Sequence, residues 1–268
     1  RDFYGSDLIV TQYAGKPGGR FSLASKFVAR LLAKRGGLVG FTDSSRWNAV
    51  LYDHLVPVRP DIAVADHDRM ALRAANIPIS IPFPTLRFVE DTGAMSRLQL
   101  EEENFIIVHL FSGAKGRGLH PDKKREVLRA LAVLLPGAQL VISGGPQDRT
   151  EAFDISEGIP ATVIAGKATL QELMNLVEKS QLIVSLDTGV AHMAAQLVKP
   201  LVVMRTCLGR NWWVPSQYGA NAPITVCSHD TPCSAGHVYK DHPPCLNGIS
   251  VEEVADVVAR NSPQLHRS

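Results

Sequence analysis

The sequence contains no apolar run that approaches the ~20 residues of a membrane-spanning helix, so a helical membrane span is excluded. It also has little excess charge, because 28 basic and 26 acidic residues give a net charge of +2, which argues against a dedicated nucleic-acid binder. The opening RDFYGSD has none of the features of a secretory signal peptide. With 45% hydrophobic and 20% charged residues among 268, the composition predicts a soluble globular protein of two domains or one large one.

Cysteine pairs with the C-x-x-C spacing of many zinc sites are absent. Four cysteines stand at irregular spacings in the last third of the chain: Cys207, Cys227, Cys233 and Cys245. The last three share a proline-rich stretch with three histidines: His229, His237 and His242. We expect a disulfide or simple loop packing there rather than a zinc site.

One stretch, residues 181–204, organises the rest of the chain and reads QLIVSLDTGVAHMAAQLVKPLVVM. Its first six residues are apolar and rich in β-branched side chains, as in a strand that is buried on both faces. A turn at 187–189 precedes a helix at 190–198, which must end at Lys199-Pro200, and a second strand follows at 201–204. The stretch therefore predicts a βαβ unit, whose turn is the place where open α/β sheets bind phosphorylated ligands.

The residues of this turn suit different roles. Thr188 offers a hydroxyl group, Gly189 permits a close approach to the backbone, and the first helical N–H groups point toward any anion placed there. Asp187 is interpreted as a cap of the helix or as an acceptor for ligand hydroxyls. His192 falls on the first helical turn, within reach of the same ligand. Asp187 and His192 are equally compatible with a purely structural role, as a cap and a partly buried histidine.

Strand and helix patterns alternate along the rest of the chain. The patterns predict strands at 8–12, 38–41, 105–110, 139–142, 162–165 and 224–227, and helices at 20–34, 62–75, 122–135, 169–179 and 250–259. Two of the helices open with a capping box: Thr169 with Glu172, and Ser250 with Glu253. Residues 78–92 are rich in proline and are interpreted as an interdomain linker with a strand-like edge. The alternation predicts an α/β protein with a doubly wound parallel sheet.

The loop FSGAKGRGLHP (111–121) follows a strand and precedes a helix. It supplies Ser112, flexible glycines and two cations, Lys115 and Arg117, which suits a diphosphate that needs backbone wrapping and charge neutralisation. It matches neither G-x-x-x-x-G-K-[ST] nor G-x-G-x-x-G, so neither a P-loop nor an NAD site is supported. A mobile surface loop is the alternative.

Two weaker candidates lie elsewhere. Asp148 ends the turn after the next strand and is placed to accept a ribose hydroxyl. Trp212 and Trp213, in RNWWVP, fit a substrate cleft or, more commonly, a packed core.

These pieces occur together in a known order: SGAKGRGLHP, LVISGGPQD, IAGKATLQELMNLVEKSQLIVSLDTGVAHMAAQLVKPLVVM, WWVP and ISVEEVADVV. Residues 104–260 thereby resemble glycosyltransferase family 9, which includes the ADP-heptose:lipopolysaccharide heptosyltransferases. Residues 6–90 resemble, more faintly, the later part of that family's N-terminal domain. The resemblance implies a GT-B fold of two Rossmann-like domains, the N-terminal one incomplete (1–92) and the C-terminal one (93–268) binding the nucleotide sugar.

The resemblance also implies roles for individual residues. Ser112 and Gly113 lie by the phosphates, and Lys115 or Arg117 neutralises the leaving group. Asp148 contacts the ribose, and Ala168 lies near the base. The central donor site is formed by the D-T-G-x-x-H residues: Asp187, Thr188, Gly189 and His192.

An inverting glycosyltransferase is therefore expected, which moves a sugar of the heptose class from a nucleotide-diphosphate donor such as ADP-heptose to a lipopolysaccharide-core or other glycan acceptor. The resemblance implies no cofactor and no metal for catalysis, no nucleic-acid partner, and a cytoplasmic location with at most peripheral contact with the inner face of the bacterial inner membrane. The alternatives are a nucleotide-binding module that lacks catalysis and a nucleotide-sugar epimerase of the same fold.

Two features depart from the family pattern. The family takes its general base from an N-terminal Gly-Asp loop that has no counterpart here, so no base is assigned. Either the sequence begins partway through a longer protein, or this protein departs from the family at that loop. We accordingly expect it to bind nucleotide but to transfer sugar slowly. The usual Lys-x-Trp-Pro of the family appears as residues 117–121, RGLHP, which leaves the assignment of the cation open between Lys115 and Arg117.

Overall fold

A computed structural model describes residues 5–11, 22–42, 45–59, 62–79, 86–91, 93–100, 104–114, 117–207, 223–228, 233 and 242–261. They belong to two compact units: one holds the described residues up to 79, and the other holds those from 86 onward. Both units are built from parallel strands that alternate with helices. None of the described helices combines the length and the hydrophobicity that a membrane span requires.

The first unit is a three-stranded parallel sheet in the order β1-β2-β3. Its elements are β1 (Ile9–Val10), α1 (Leu23–Leu32), β2 (Leu38–Phe41), α2 (Asn48–Leu51), β3 (His54–Val56) and α3 (Val64–Ala74). The predicted strand at 38–41 is confirmed to the residue, and the two predicted helices are shorter than their patterns. The sequence interpretation missed α2 and β3, because each is shorter than the periodicity needed to recognise it.

Helix α1 does not pack through its apolar side. The apolar side chains Phe27, Val28 and Leu31 are exposed, and the buried positions are instead Lys26 and Ala29. Lys26 lies buried because its Nζ donates to Asn48 Oδ1 at 2.6 Å and its charge lies 5.9 Å from the ring centroid of Tyr52. The sequence thus predicted this helix but did not reveal which of its sides faces the sheet.

The second unit contains a six-stranded parallel sheet. Its strands are β4 (Phe105–His109), β5 (Gln139–Ile142), β6 (Ala161–Val163), β7 (Leu182–Leu186), β8 (Leu201–Met204) and β9 (Ile224–Cys227). Its helices are α4 (Ala94–Leu98), α5 (Pro121–Leu134), α6 (Arg149–Ser156), α7 (Leu170–Lys179), α8 (Gly189–Gln196), α9 (Pro244–Asn247) and α10 (Val251–Asn261). The predicted doubly wound parallel sheet is confirmed, whereas α4, α6 and α9 had not been anticipated.

The strand order of this sheet is β6-β5-β4-β7-β8-β9. In chain order this is 3-2-1-4-5-6, the arrangement of classic dinucleotide-binding sheets. Strand β4 therefore has β5 on one side and β7 on the other, and the connections leave in opposite directions from these two central strands. The carboxyl ends of β4 and β7 thus border the crevice in which such sheets bind ligands.

Local signals fixed several boundaries in this unit. Every residue of β7 and β8 is buried, as the continuous apolar runs predicted. The capping box of α7 is also confirmed: Thr169 Oγ1 accepts from Glu172 N at 3.2 Å, and Thr169 N donates to Glu172 Oε2 at 2.7 Å. The bond from the Thr169 backbone N–H, followed by that from the Arg97 guanidinium, holds the pKa of Glu172 below its usual value.

The segment that leads into this unit is held on α7. Asn175 donates from its side chain to the Val89 carbonyl at 3.0 Å and accepts from the Asp91 N–H at 2.8 Å. The strand-like edge predicted within 78–92 is not found in the described residues of that stretch. The domain boundary at 92/93 stays a prediction.

Helix α8 ends with a non-glycine residue in the left-handed conformation. Val198 has φ +57°; its N–H donates to Ala195 O at 3.2 Å, and the next N–H, of Lys199, donates to Ala194 O at 3.0 Å. This pair of bonds is a Schellman motif with Val198 at the position that glycine usually occupies. The β-branched, exposed side chain of Val198 therefore strains the helix end without contributing to the core.

Replacing Val198 by glycine should stabilise the second unit. The left-handed strain costs ~1–2 kcal/mol, and the greater freedom of glycine in the unfolded chain offsets part of that gain, which leaves about 1 kcal/mol. The midpoint of thermal unfolding should rise by about 2–4 °C, as measured by circular dichroism or calorimetry. Val133→Gly, the same change at an exposed position inside α5, is the matched control and should lower the midpoint. A midpoint that falls in Val198→Gly would contradict the strain assigned to this position.

Candidate functional site

The turn between β7 and α8 lies at one side of the crevice. Thr188 is the N-cap residue of α8, and its side chain makes no capping hydrogen bond. Asp187 lies one residue before this N-cap, and its N–H joins the turn to β8 by donating to Met204 O at 3.2 Å. The capping role of the Asp187 side chain stays a prediction. Thr188 Oγ1 lies 3.3 Å from Ser185 Oγ, at the end of β7.

The carboxylate of Asp187 is the centre of a charged group. Arg117 Nη1 lies 3.7 Å from Asp187 Oδ2, and His192 Nε2 lies 3.8 Å from Asp187 Oδ1. The Asp187 side chain is only 6% exposed, whereas that of Arg117 is 44% exposed. The arrangement thus joins the β4–α5 loop to the β7–α8 turn across the crevice and leaves the guanidinium accessible.

His192 is held toward its neutral form. Burial lowers the pKa of His192; the Asp187 carboxylate raises it and the Arg117 guanidinium lowers it, and the net shift is downward. An imidazole with a lowered pKa is mainly uncharged at pH 7, so it donates one N–H without adding a full charge. An anion bound nearby would raise this pKa again.

The backbone of both crevice loops is open toward solvent. A Cβ atom built on Gly113 or on Gly189 would meet no atom of the described residues within 4 Å. Gly189 is the first residue of α8, where the backbone N–H groups have no partner within the helix and carry the positive end of its dipole. The space next to these N–H groups is therefore available to an anionic ligand.

A cavity of about 310 Å³ opens on the other side of the β4–α5 loop. Among its lining residues are three that the sequence had singled out, Ser112, Gly113 and Asp148. The sequence had not connected four others with a nucleotide site: Phe111, Lys124, Glu151 and His242. The structure thus gathers the β4–α5 loop and the turn after β5 around one space, as expected for loops at one edge of a sheet.

Lys124 and Glu151 form an ion pair in the wall of this cavity. Lys124 Nζ lies 2.8 Å from Glu151 Oε1 and 4.4 Å from the ring centroid of Phe111, and its side chain is 6% exposed. A signal for Lys124 was present in the sequence, since it shares the inward face of α5 with Leu128 and Leu131 at helical spacing. A lysine on such a face needs a partner, and only the fold shows that Glu151 of α6 supplies it.

Asp148 stabilises its own turn. Its Oδ2 accepts from Gly145 N at 2.8 Å and from Gln147 Nε2 at 3.2 Å.

His109 lies next to Asp148, at the carboxyl end of β4, and its Nδ1 is 3.0 Å from Ser143 Oγ. Burial lowers the pKa of His109 to about 4, while the Asp148 charge and the bond with Ser143 raise it less. His109 is thus neutral at pH 7, and the sequence interpretation missed it although it is a polar residue ending a core strand.

The turn that contains Ala168 lies beside that of Asp148. Gly166 N donates to Gly144 O at 3.0 Å, and Ala168 directly precedes Thr169, the N-cap of α7.

The sequence-predicted residues fall into two groups joined by the β4–α5 loop: one around the cavity and one around Asp187. Lys115, Trp212 and Trp213 lie outside the described residues.

The β4–α5 loop is held from the far end of the chain. Asn247, the last residue of α9, accepts from His120 N through Oδ1 at 2.7 Å and donates from Nδ2 to Gly118 O at 3.3 Å. The rings of His120 and His242 lie 5.2 Å apart between centroids. No sequence signal identified Asn247, because an asparagine at a helix end most often caps only its own helix.

Comparison with solved structures identifies the fold. ADP-heptose lipopolysaccharide heptosyltransferase II of Escherichia coli superposes with a TM-score of 0.62 and 18% identity over 85% of this chain and 70% of that one. A family 9 glycosyl transferase of Veillonella parvula superposes with a TM-score of 0.67 and 17% identity over 97% and 74%. The fold is accordingly of the GT-B type, with Rossmann-like α/β units, as the resemblance implied.

The sequence itself is similar to lipopolysaccharide heptosyltransferase 3 of Escherichia coli. The two are 32% identical over a 173-residue alignment that covers 61% of this chain and 50% of that protein, so the chain spans about half the length of this curated relative. The family model described as glycosyltransferase family 9 (heptosyltransferase) matches residues 22–213, well over half of the chain. The chain therefore belongs to glycosyltransferase family 9.

Proposed function

We propose that the chain is the donor-binding part of an inverting glycosyltransferase, which moves a heptose-class sugar from a nucleoside diphosphate donor to a lipopolysaccharide-core or other glycan acceptor. The names of the Escherichia coli relatives, an ADP-heptose lipopolysaccharide heptosyltransferase and a lipopolysaccharide heptosyltransferase, supply the substrate classes. The observation that carries the proposal is the contact of Arg117 with Asp187 at the N-terminus of α8. It puts an accessible cation beside the N–H groups that favour an anion.

In this reaction the acceptor hydroxyl oxygen forms a bond with the anomeric carbon of the sugar. The bond from that carbon to the diphosphate breaks, its electron pair stays on the diphosphate oxygen, and the acceptor proton passes to a base. The developing negative charge needs stabilisation, which Arg117 and the positive end of the α8 dipole are positioned to supply. In this proposal the transfer needs no added divalent metal, because Arg117 takes the place of the metal at the leaving group.

The pairing with Arg117 allows the Asp187 carboxylate to lie at a phosphate site. Its negative charge is compensated by Arg117 at 3.7 Å, so that it does not simply repel the diphosphate. We propose that Asp187 orients Arg117 and His192, while Thr188 and the backbone at Gly189 bind the phosphates. Ser112 and Gly113 extend this phosphate site along the β4–α5 loop.

The cavity between that loop and the turn after β5 suits the nucleoside. We propose that Asp148 accepts a ribose hydroxyl and that the backbone near Ala168 lies beside the base. The volume of about 310 Å³ is at the lower end of the range of small-molecule sites, which suits a nucleoside better than a whole nucleotide sugar. Lys115 stays a second candidate for the cation beside the leaving group.

Gly189→Val should weaken ADP binding at least ~10-fold, which corresponds to about 1.4 kcal/mol. The Cβ of the added side chain meets no atom of the described residues within 4 Å, so the side chain enters the space proposed for the phosphates. Isothermal titration calorimetry measures the affinity, and Gly93→Val, the same change at the exposed start of α4, is the control and should leave it unchanged. Unchanged affinity in a folded Gly189→Val protein would contradict the assignment of the phosphate site.

Arg117→Ala should lower donor turnover by ~10²-fold and lower donor affinity much less, because the charge that Arg117 stabilises is largest in the transition state. Arg117→Lys should be intermediate, since it keeps the charge but not the guanidinium geometry. Lys123→Ala removes a cation of the neighbouring helix that pairs with Glu126 and is the charge-matched control. Near-wild-type turnover in Arg117→Ala would shift the role to Lys115. Nucleotide binding with no detectable turnover in the wild-type chain would favour a binding module.

Acidification should strengthen ADP binding through His192. Burial lowers the pKa of His192 in the free protein, and a bound diphosphate raises it, so binding takes up a proton and is favoured as the pH falls. We therefore compare the ADP affinity of the wild type with that of His192→Gln at two pH values. The ratio of the two affinities should be larger at pH 6 than at pH 8. The difference is at most about tenfold for each pH unit by which the bound diphosphate raises the pKa of His192. The ratio cancels protonation of ADP itself, and a ratio independent of pH would place His192 away from the phosphates.

A further inference from the structure

Three cysteines from distant parts of the chain meet at one point of the second unit. Cys207 follows β8, Cys245 is buried in α9, and Cys233 comes from the segment between them. Their sulfur atoms all lie within 4.8 Å of one another, and none of the four cysteines of the chain forms a disulfide. Of the two expectations drawn from the sequence, a disulfide or simple loop packing, the disulfide is not formed. The three thiols that gather here are called the Cys207 cluster.

Backbone N–H groups point at two of these sulfurs. Cys207 N donates to Cys245 Sγ at 3.3 Å, and Cys233 N donates to Cys207 Sγ at 3.5 Å. Each of these bonds joins a sulfur atom to a backbone N–H group from a different segment of the chain. The three segments that carry the cysteines therefore meet at their sulfur atoms.

We propose that Cys207, Cys233 and Cys245 bind a thiophilic divalent metal ion of the zinc class. Sulfurs around a tetrahedral zinc ion lie ~3.8 Å apart for bonds of ~2.3 Å, so closure around the ion requires each pair to approach by at most about 1 Å. Each thiol that binds the metal releases its proton to solvent, and no oxidation takes place. Three thiolates leave one tetrahedral position for water or a further ligand.

The metal would affect the candidate donor site indirectly, through the position of helix α9. Cys245 lies two residues before Asn247 in α9, and Asn247 holds the β4–α5 loop through His120 and Gly118. A metal that ties α9 to Cys207, at the carboxyl end of β8, would therefore fix the position of that loop. The metal would thus have a structural role, because it fixes the position of the loop. The proposal that a metal binds there does not depend on which reaction the loop serves.

Elemental analysis of the 268-residue protein, purified anaerobically in reducing buffer, tests the proposal. About one thiophilic metal ion per chain is expected, in zinc or iron form. Cys245→Ser and Cys207→Ser should each lose most of the metal, and added Co²⁺ should give the charge-transfer absorption of cobalt thiolates in the wild type alone. Cys227→Ser, at a buried cysteine outside the cluster, is the matched control and should keep the metal.

Hydrogen exchange separates a structural metal from an adventitious one. Removing the metal with a chelator should speed exchange of the His120 amide, which donates to Asn247, by at least ~10-fold. The proposal is overturned if folded wild-type protein carries no metal and gives no cobalt–thiolate absorption, if mass spectrometry finds a disulfide within the Cys207 cluster of the reduced preparation, or if Cys227→Ser loses the metal to the same extent. Metal binding without any change at His120 would overturn its role in holding the loop.

Discussion

The parallel pairing of β4 with β5 on one side and β7 on the other determines where everything else in the second unit lies. Parallel strands bring all their carboxyl ends to one edge, and the chain leaves β4 and β7 in opposite directions, so a crevice must open between their loops. The β4–α5 loop and the β7–α8 turn contain nearly all the residues to which a role in phosphate binding is assigned. Burial of β7 and β8 on both faces holds this edge rigid.

Charge balance decides what the crevice can bind. A buried carboxylate at a phosphate site is unfavourable unless it is compensated, and Asp187 is compensated by Arg117 from the opposite loop. The same arrangement keeps His192 near neutrality, because burial and Arg117 lower its pKa more than Asp187 raises it. The described part of the crevice thus combines an accessible cation, a neutral hydrogen-bond donor and a helix N-terminus, which together favour a ligand with more than one negative charge.

The C-terminal segment ties the crevice to the cysteines. Asn247 contacts the β4–α5 loop through the backbone of His120 and Gly118, so the position of this loop depends on α9. Cys245 lies in the same short helix and brings it to the end of β8. A four-residue helix has little stability of its own, so its placement must come from such contacts.

Much of the fold was determined by the sequence alone. The strands at 38–41, 139–142, 201–204 and 224–227 were located to the residue, because each is a short apolar run between clear breaks. The capping box of α7 was also found, since its two bonds join residues only three apart. The crevice loops followed from the strands, as the end of each strand fixes where its loop begins.

Only the tertiary structure decided the contacts between distant residues. It showed that α1 packs through Lys26 rather than its apolar face, because the partner, Asn48, lies on another helix. It likewise showed that Asp187 faces Arg117 and that Asn247 holds a loop 127 residues away in the sequence. Periodicity and capping report interactions within a few residues, whereas the partner of a buried charge or of a loop backbone is chosen by the packing of the whole sheet.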